Sequence, residues 1–220
     1  MQAVDLSHPV TTGMQVFPGD PEVFLANAAS VETDGFQVAS LHLGSHSGTH
    51  LDAPLHTVPG GAGVDTIPLE TLMGRARIVR VPAAAAGGHG CIRWQDIAGG
   101  MEDLMPGTVV LLNTGWSAHF NTPRYLQHPF FEAEIARRLL AAGVRTVGVD
   151  TLNPDPTPVP GSSGPVALPF HEVFLGAGGS IIENLTNLDA VTWTDPWFSA
   201  LPLRLAGMDG SPVRAAAFRL

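Results

Sequence analysis

Hydrophobic and polar positions along this chain fall into short runs rather than long stripes. Phe36–Leu43 alternates with period two and leads into a histidine-rich segment, while Arg77–Val81 and Thr108–Asn113 are short β-branched or apolar runs. All three are expected to be strands. One segment follows the helical period: Phe131, Ile135, Leu139 and Leu140 form a stripe, Glu134 and Arg138 pair on another face, and Gly143 stands where helices commonly end. The expected helix, Phe131–Ala142, runs directly into a strand at Val144–Thr151, which is α/β packing. Asn153–Pro169 is rich in Pro, Gly and Ser. It is too long for an ordinary connection and reads as a functional loop. Beyond it the pattern predicts a short helix at Pro169–Leu175 and a strand at Ser180–Leu185. A closing hairpin of Phe198–Ala206 and Val213–Leu220 is expected to turn at Met208-Asp209-Gly210-Ser211. Strands outnumber helices, and no period of about 20–50 residues repeats. The expectation is one α/β domain over residues 1–220, a mixed sheet with flanking helices.

Composition narrows the function classes. Hydrophobic residues make up 45% of the chain and charged residues only 14%. A surface so poor in charge is expected to be covered in part by a second copy, as a homodimer or higher homo-oligomer. Twenty acidic against eleven basic residues argue against nucleic acid and against an anionic membrane surface. Every basic residue is arginine, so no lysine is available for a Schiff base or a P-loop. The single cysteine, Cys91, excludes an intrachain disulfide and a multi-cysteine zinc site. No basic-then-apolar leader is visible and no run of about 18 apolar residues occurs, so the chain reads as cytoplasmic. Gly44-Ser45-His46-Ser47-Gly48 has histidine where a serine hydrolase elbow has its nucleophile. Gly176-Ala177-Gly178-Gly179-Ser180 precedes a strand, not the helix a dinucleotide site requires.

Nine histidines occur, four of them between His42 and His56. His46, His50, Asp52 and His56 all occupy even positions, so an extended chain would project them from one face. Gly44, Gly48 and Pro54 each disfavour a helix there. Imidazoles with a carboxylate are the donor set that zinc, manganese and iron(II) accept. An isolated histidine is more often a satisfied, partly buried side chain. Four groups on one face flanked by glycines point instead to a metal site for a small-molecule substrate. Glu183, in the apolar run Ile181-Ile182-Glu183, is a carboxylate that burial penalises unless it is paired. Of the four tryptophans, Trp116 is a candidate wall of the site and the others are expected in the core.

The string His46-Ser-Gly-Thr-His50-Leu-Asp52-Ala-Pro-Leu-His56 resembles the signature of the metal-dependent cyclase family, which includes bacterial kynurenine formamidase and isatin hydrolase. Phe17-Pro18-Gly19-Asp20-Pro21, Asn113-Thr114-Gly115-Trp116, Gly148-Val149-Asp150, Leu168-Pro169-Phe170-His171 and Ile182-Glu183-Asn184-Leu185 resemble further family elements in the same order. The resemblance implies a swivelling β/β/α fold and two divalent metal ions per chain, zinc or manganese. His46 and His50 would bind the first ion and His171 the second. Asp52 and Glu183 would bridge them, and His56 would be the general acid/base. Phe17 stands where kynurenine formamidases usually place a substrate-contacting tryptophan. The family's Asp-x-x-Ser-x-Asp loop reads Asp150-Thr-Leu-Asn153-Pro-Asp155 here. The implied activity is hydrolysis of an amide or formamide of an aromatic or cyclic substrate, an N-formylkynurenine-type aryl formamide leading, with hydroxide generated at the metal centre. The alternatives are an isatin-type lactam or lactone opener, a biosynthetic cyclase or dehydratase, and, outside enzymes, a metal-dependent small-molecule binding protein.

Overall fold

Residues 2–158 and 166–219 are described in a computed structural model of the chain. In chain order come β1 (Gln2–Asp5), β2 (Phe24–Ala29), the one-turn helix α1 (Val31–Asp34), β3 (Val38–His42), β4 (His50–Asp52), β5 (Met73–Arg80) and β6 (Cys91–Ile92). There follow α2 (Trp94–Ile97), β7 (Val109–Asn113), β8 (Phe130–Phe131), α3 (Ala133–Ala141), β9 (Thr146–Val149), α4 (Pro169–Gly176), β10 (Ser180–Glu183), β11 (Trp197–Ser199), β12 (Gly210–Pro212) and β13 (Ala216–Arg219).

Nine strands form one mixed sheet in the order β1-β13-β11-β5-β7-β9-β10-β4-β12. Its centre, from β5 to β10, is parallel, and antiparallel strands extend it at both ends. The central strands are apolar runs because both faces are covered. Val110, Leu112, Val147, Val149 and Ile181 point to a core closed by α3 and α4. Val109, Leu111, Ile182 and Leu51 point the other way, into a second core shared with Leu6, Phe198 and Ala217. That second core exists because the sheet curls on itself. Only Val213–Ala215 separates β12, at one edge, from β13 near the other. Hydrogen bonds of 2.9 Å from Leu6 N to Ala215 O, Thr186 N to Leu6 O and Val213 N to Thr49 O tie the seam. Inside the curl, Gly148 leaves room that a Cβ would fill, 2.6 Å from Leu185 Cδ1 and 2.7 Å from Leu111 Cδ2.

The expected elements are present with changed limits. α3 buries Ile135, Ala136 and Leu139 and carries the Arg138–Glu134 pair at 2.8 Å, and Gly143 ends it at φ 82°. Phe131 belongs instead to β8, paired with β6. β3 forms where alternation predicts it, but as an exposed hairpin with β2, outside the main sheet. The C-terminal hairpin is corrected. β11 and β13 do pair, yet the residues between them cross to the far edge of the sheet, where β12 lies against β4 with Gly210 opposite Asp52. Residues 208–211 are therefore not a tight turn. Gly210 permits this approach, since a Cβ there would sit 2.8 Å from the ring of His46. Of the expected loop Asn153–Pro169, residues 159–165 lie outside the described residues, as does Leu220.

Ile135 has no exposed surface and packs α3 on the sheet. Ile135→Ala is expected to lower unfolding stability by about 2–5 kcal/mol. Arg138→Ala, on the exposed face, should leave the denaturant midpoint nearly unchanged. Equal midpoints for both variants in a urea titration would contradict this packing.

Candidate metal centre

The site begins with strand register. β4 is three residues long, with Leu51 in the core beneath it, so His50 and Asp52 share the opposite face. β10 lies antiparallel beside it, with Glu183 opposite His50 and Ile181 opposite Asp52. The positions flanking β4 reach the site differently from the single extended face that the even spacing suggests. Gly48, at φ 66°, bends the chain so that His46 approaches from a turn. Pro54 then starts a short 3-10 helix whose last residue is His56, with His56 N bonded to Ala53 O at 2.9 Å. His171 arrives from the first turn of α4, whose amides Phe170 N and His171 N donate to the Asp155 carboxylate at 2.8 and 3.1 Å. Asp155 is fully buried and also accepts from His171 Nδ1 at 2.7 Å. It caps the helix from the preceding loop and fixes the ring, leaving Nε2 facing inward.

These elements bring three donor clusters together, His46–His56–Asp209 toward the rim and two that meet at one aspartate, His46–His50–Asp52 and Asp52–His171–Glu183, each with ligand atoms within 4.8 Å of one another. Asp52 belongs to the latter two. His50 Nε2 lies 3.2 Å from Asp52 Oδ1 and 3.3 Å from Glu183 Oε2, and His171 Nε2 lies 3.1 Å from Glu183 Oε1 and 3.4 Å from Asp52 Oδ2. Yet His50 Nε2, Asp52 Oδ2 and Glu183 Oε1 are buried without a hydrogen-bond partner among the described residues. Unsatisfied buried polar atoms are rare and costly, and here three belong to the two clusters that share Asp52. Divalent cations would satisfy such atoms, so the residues present fit metal ions. The other nitrogen of His50 is held as metal-ligand histidines usually are, donating to Gly48 O at 2.7 Å.

Electrostatics agree. Burial works against charge on His46, but the Asp52 and Asp209 carboxylates outweigh it and lift its pKa to about 10. Burial likewise opposes charge on His50, and Asp52 and Glu183 raise it to about 9. Asp52, despite its burial, is held well below the usual carboxylate range by His50 and His46. Without metal, protons on the imidazoles neutralise the carboxylates; a metal ion would replace them.

A cavity of about 200 Å³ opens onto these groups, walled by Phe17, Leu152, Val166 and Leu168 and reached also by Asp20, His56, Asn153 and Asn184. Phe17 and His56 both line this cavity. Trp116 does not: it is buried in a cluster with Tyr125 and Leu152, its indole N–H bonded to Tyr125 O, and it does not line the cavity. Thr114-Gly115 and Asp150 prove to be one structural unit. Burial pushes the Asp150 pKa up to about 6, against hydrogen bonds from Thr114 N, Thr114 Oγ1 and Gly115 N. Sequence reasoning missed Asp209, whose Oδ2 accepts from His46 Nε2 at 2.9 Å and His56 Nδ1 at 3.3 Å. It also missed the cap supplied by Asp155. Asp209 has no local signal, because its partners lie 163 and 153 positions away in the chain.

The cyclase family model matches residues 4–156. Kynurenine formamidase from Paracidovorax citrulli is 32% identical over 221 residues, covering 96% of this chain and 94% of that one. Kynurenine formamidase from Bacillus cytotoxicus is 32% identical over 214 residues, with 96% and 95% covered. Among solved structures, isatin hydrolase A from Labrenzia aggregata, bound to benzyl benzoate, has a TM-score of 0.84 at 26% identity, covering 98% of this chain and 93% of that one. A structure titled as a potential metal-dependent hydrolase with cyclase activity has a TM-score of 0.77 at 30% identity, with 98% and 96% covered. The expected mixed α/β fold, of the kind the family resemblance implies, is borne out.

The raised histidine pKa values set a pH signature. Groups whose folded pKa exceeds the unfolded value of about 6.5 stabilise fully below that pH and lose their contribution as pH rises through the folded value. The chelator-treated chain is expected to lose thermal stability between pH 6.5 and the His50 and His46 values of about 9 and 10. Divalent metal should remove much of that loss. A metal-free melting temperature that climbs steadily over this range would contradict the arrangement.

Proposed function

This chain belongs to the cyclase family, and we propose that it is a metal-dependent hydrolase that cleaves a non-peptide carbon–nitrogen bond of an aromatic amide, holding two zinc or manganese ions per chain. The observation that carries this is the convergence of the unpartnered atoms of His50, Asp52 and Glu183 beneath an apolar-walled cavity. His46, His50 and Asp52 would hold one ion, and Asp52, His171 and Glu183 the other. Bound there, the ions supply Lewis acidity toward a carbonyl oxygen and an activated water. Phe17 offers an aromatic face to the substrate ring, and Leu152, Val166 and Leu168 keep water from it. His56 lines the same cavity, belongs to neither cluster that contains Asp52, grouping instead with His46 and Asp209, and carries the proton to the leaving nitrogen.

An aryl formamide of the kind named by the kynurenine formamidase relatives is the leading substrate class. One observation favours a second, a neutral cyclic aromatic amide: the described residues lining the cavity include no arginine to meet a substrate carboxylate, and the fold neighbour named above is an isatin hydrolase. The cytoplasmic setting is part of this proposal, in keeping with a single, unpaired cysteine.

The test is a hydrolysis screen of aryl formamides, isatin-like lactams and aliphatic formamides with zinc- and manganese-loaded protein, alongside elemental analysis. Aromatic substrates should be preferred and about two ions found per chain. His50→Ala should lose metal and activity together. His56→Ala should keep its metal while kcat falls by roughly 10²–10⁴, the usual span of a general acid/base. A chain that takes up no metal refutes the reading, and loss of metal in the His56 variant would make His56 a ligand.

A homodimer is the second part of the proposal. The β2–β3 hairpin and the turn leading into β3 expose Phe24 (56%), Phe36 (58%), Val38 (48%) and Leu41 (64%), apolar surface that a second copy would cover. Light scattering should give the mass of two chains; the mass of one at micromolar concentration would contradict it.

A further inference from the structure

Asp209 stands outside the two donor clusters that share Asp52, grouping instead with His46 and His56, and it does not line the cavity. It nonetheless holds two of the site's imidazoles with one oxygen. Its Oδ2 accepts from His46 Nε2 at 2.9 Å and from His56 Nδ1 at 3.3 Å, while its Oδ1 accepts from Ser45 Oγ at 2.9 Å. The main chain around it is fixed just as firmly. Ala53 N donates to Asp209 O at 2.9 Å, Val64 N donates to Met208 O at 2.8 Å, and β12 begins at the next residue, in register with Asp52. Gly210 leaves space for the His46 ring that a Cβ would occupy at 2.8 Å. A segment remote in sequence is thus shaped around two histidines of the site.

We propose that Asp209 is a positioning residue that sets the tautomer of His56 and the ring orientation of His46. A carboxylate can only accept, so the Nδ1 of His56 must carry its hydrogen toward Asp209. The lone pair then sits on Nε2, the nitrogen left to exchange a proton with substrate, on a ring that lines the cavity. This is the orienting role that a buried carboxylate plays for the histidine of a hydrolytic triad. For His46, the same carboxylate holds Nε2–H and turns Nδ1 toward Asp52, 2.7 Å away. Asp209 therefore couples the metal side of the site to its proton carrier. Side-chain exposure of 36% leaves it at the rim, so it acts by geometry rather than by contact with substrate.

This inference rests on the proposed role of His56, and the experiment separates the two. Asp209→Asn presents an amide whose N–H₂ can donate to His56 Nδ1 and favour the wrong tautomer. At saturating zinc or manganese, its kcat for the best aryl amide should fall roughly 10²–10⁴-fold with KM within about threefold. Metal affinity, measured by competition with a chelator, should weaken about 10–100-fold, the usual effect of losing an outer carboxylate from a ligating histidine. Asp209→Glu should recover part of kcat. Imidazole-nitrogen NMR of the metal-free protein should show His56 as a single Nδ1–H tautomer in the wild type and lose that signature in Asp209→Asn. Should the variant not fold, Ser45→Ala carries the test, with kcat expected to fall roughly 3–10-fold at full metal occupancy. A kcat within threefold of wild type at saturating metal in either variant overturns the proposal. So does metal that cannot be restored at any concentration, which would make Asp209 a ligand. A wild-type chain without hydrolytic activity removes the role of His56 but leaves the tautomer measurement to decide the contact.

Discussion

Two carboxylates buried in apolar strands set the terms for the rest of the structure. Asp52 has no exposed surface and Glu183 has 5%, and each is flanked in its strand by fully buried aliphatic residues. An ionised carboxylate in such surroundings carries a penalty of several kcal/mol unless charge and hydrogen bonds compensate it. Three imidazoles, His46, His50 and His171, lie within 3.4 Å of one or other of them. That compensation is incomplete, because buried ligand atoms remain without partners. Protonated imidazoles balance the charge, but the unpartnered ligand atoms are what a bound metal ion would complete.

Holding such a centre requires rigid support, and the sheet provides it from three directions. The register between β4 and β10 puts Glu183 beside His50 with backbone precision. Asn184, at φ 55°, turns the chain away directly after Glu183, and its carbonyl accepts from Thr49 Oγ1 at 2.6 Å while its side chain accepts from Tyr125 Oη at 2.9 Å. α4 delivers His171 with its ring already oriented by Asp155. The curl of the sheet brings β12 and Asp209 to the opposite side. Each support uses paired backbone or fully bonded side chains, so the ligand atoms lose little entropy when a metal binds.

Above the centre the chemistry changes from polar to apolar within one cavity. Phe17 comes from the amino-terminal turn, and Leu152, Val166 and Leu168 from the segment between β9 and α4. These walls come from connecting segments, whereas most of the ligands lie in or directly beside sheet strands. Chemistry and substrate choice therefore sit on different parts of the fold, a division that lets one change without the other.

Much of the centre was legible in the sequence. His50 and Asp52 alternate with a core leucine, Glu183 interrupts an apolar strand, and donor chemistry marks both as unusual because burying a carboxylate is costly. α3 and the central strands were legible from periodicity, which reports which face is buried. The single-face reading of His46 to His56 was too simple, since Gly48 and Pro54 impose turns whose direction depends on what the chain packs against. Asp209 was illegible, since an aspartate beside a glycine reads as an ordinary turn residue, and Asp155 was marked only as the end of a loop element, without His171 as its partner. Local sequence thus determined which residues carry chemistry and which faces are buried, because period and donor type are local properties. The curl of the sheet decided which of them meet. It pairs β12 with β4 across most of the chain, and no local pattern encodes a contact between residues 163 positions apart, such as His46 and Asp209.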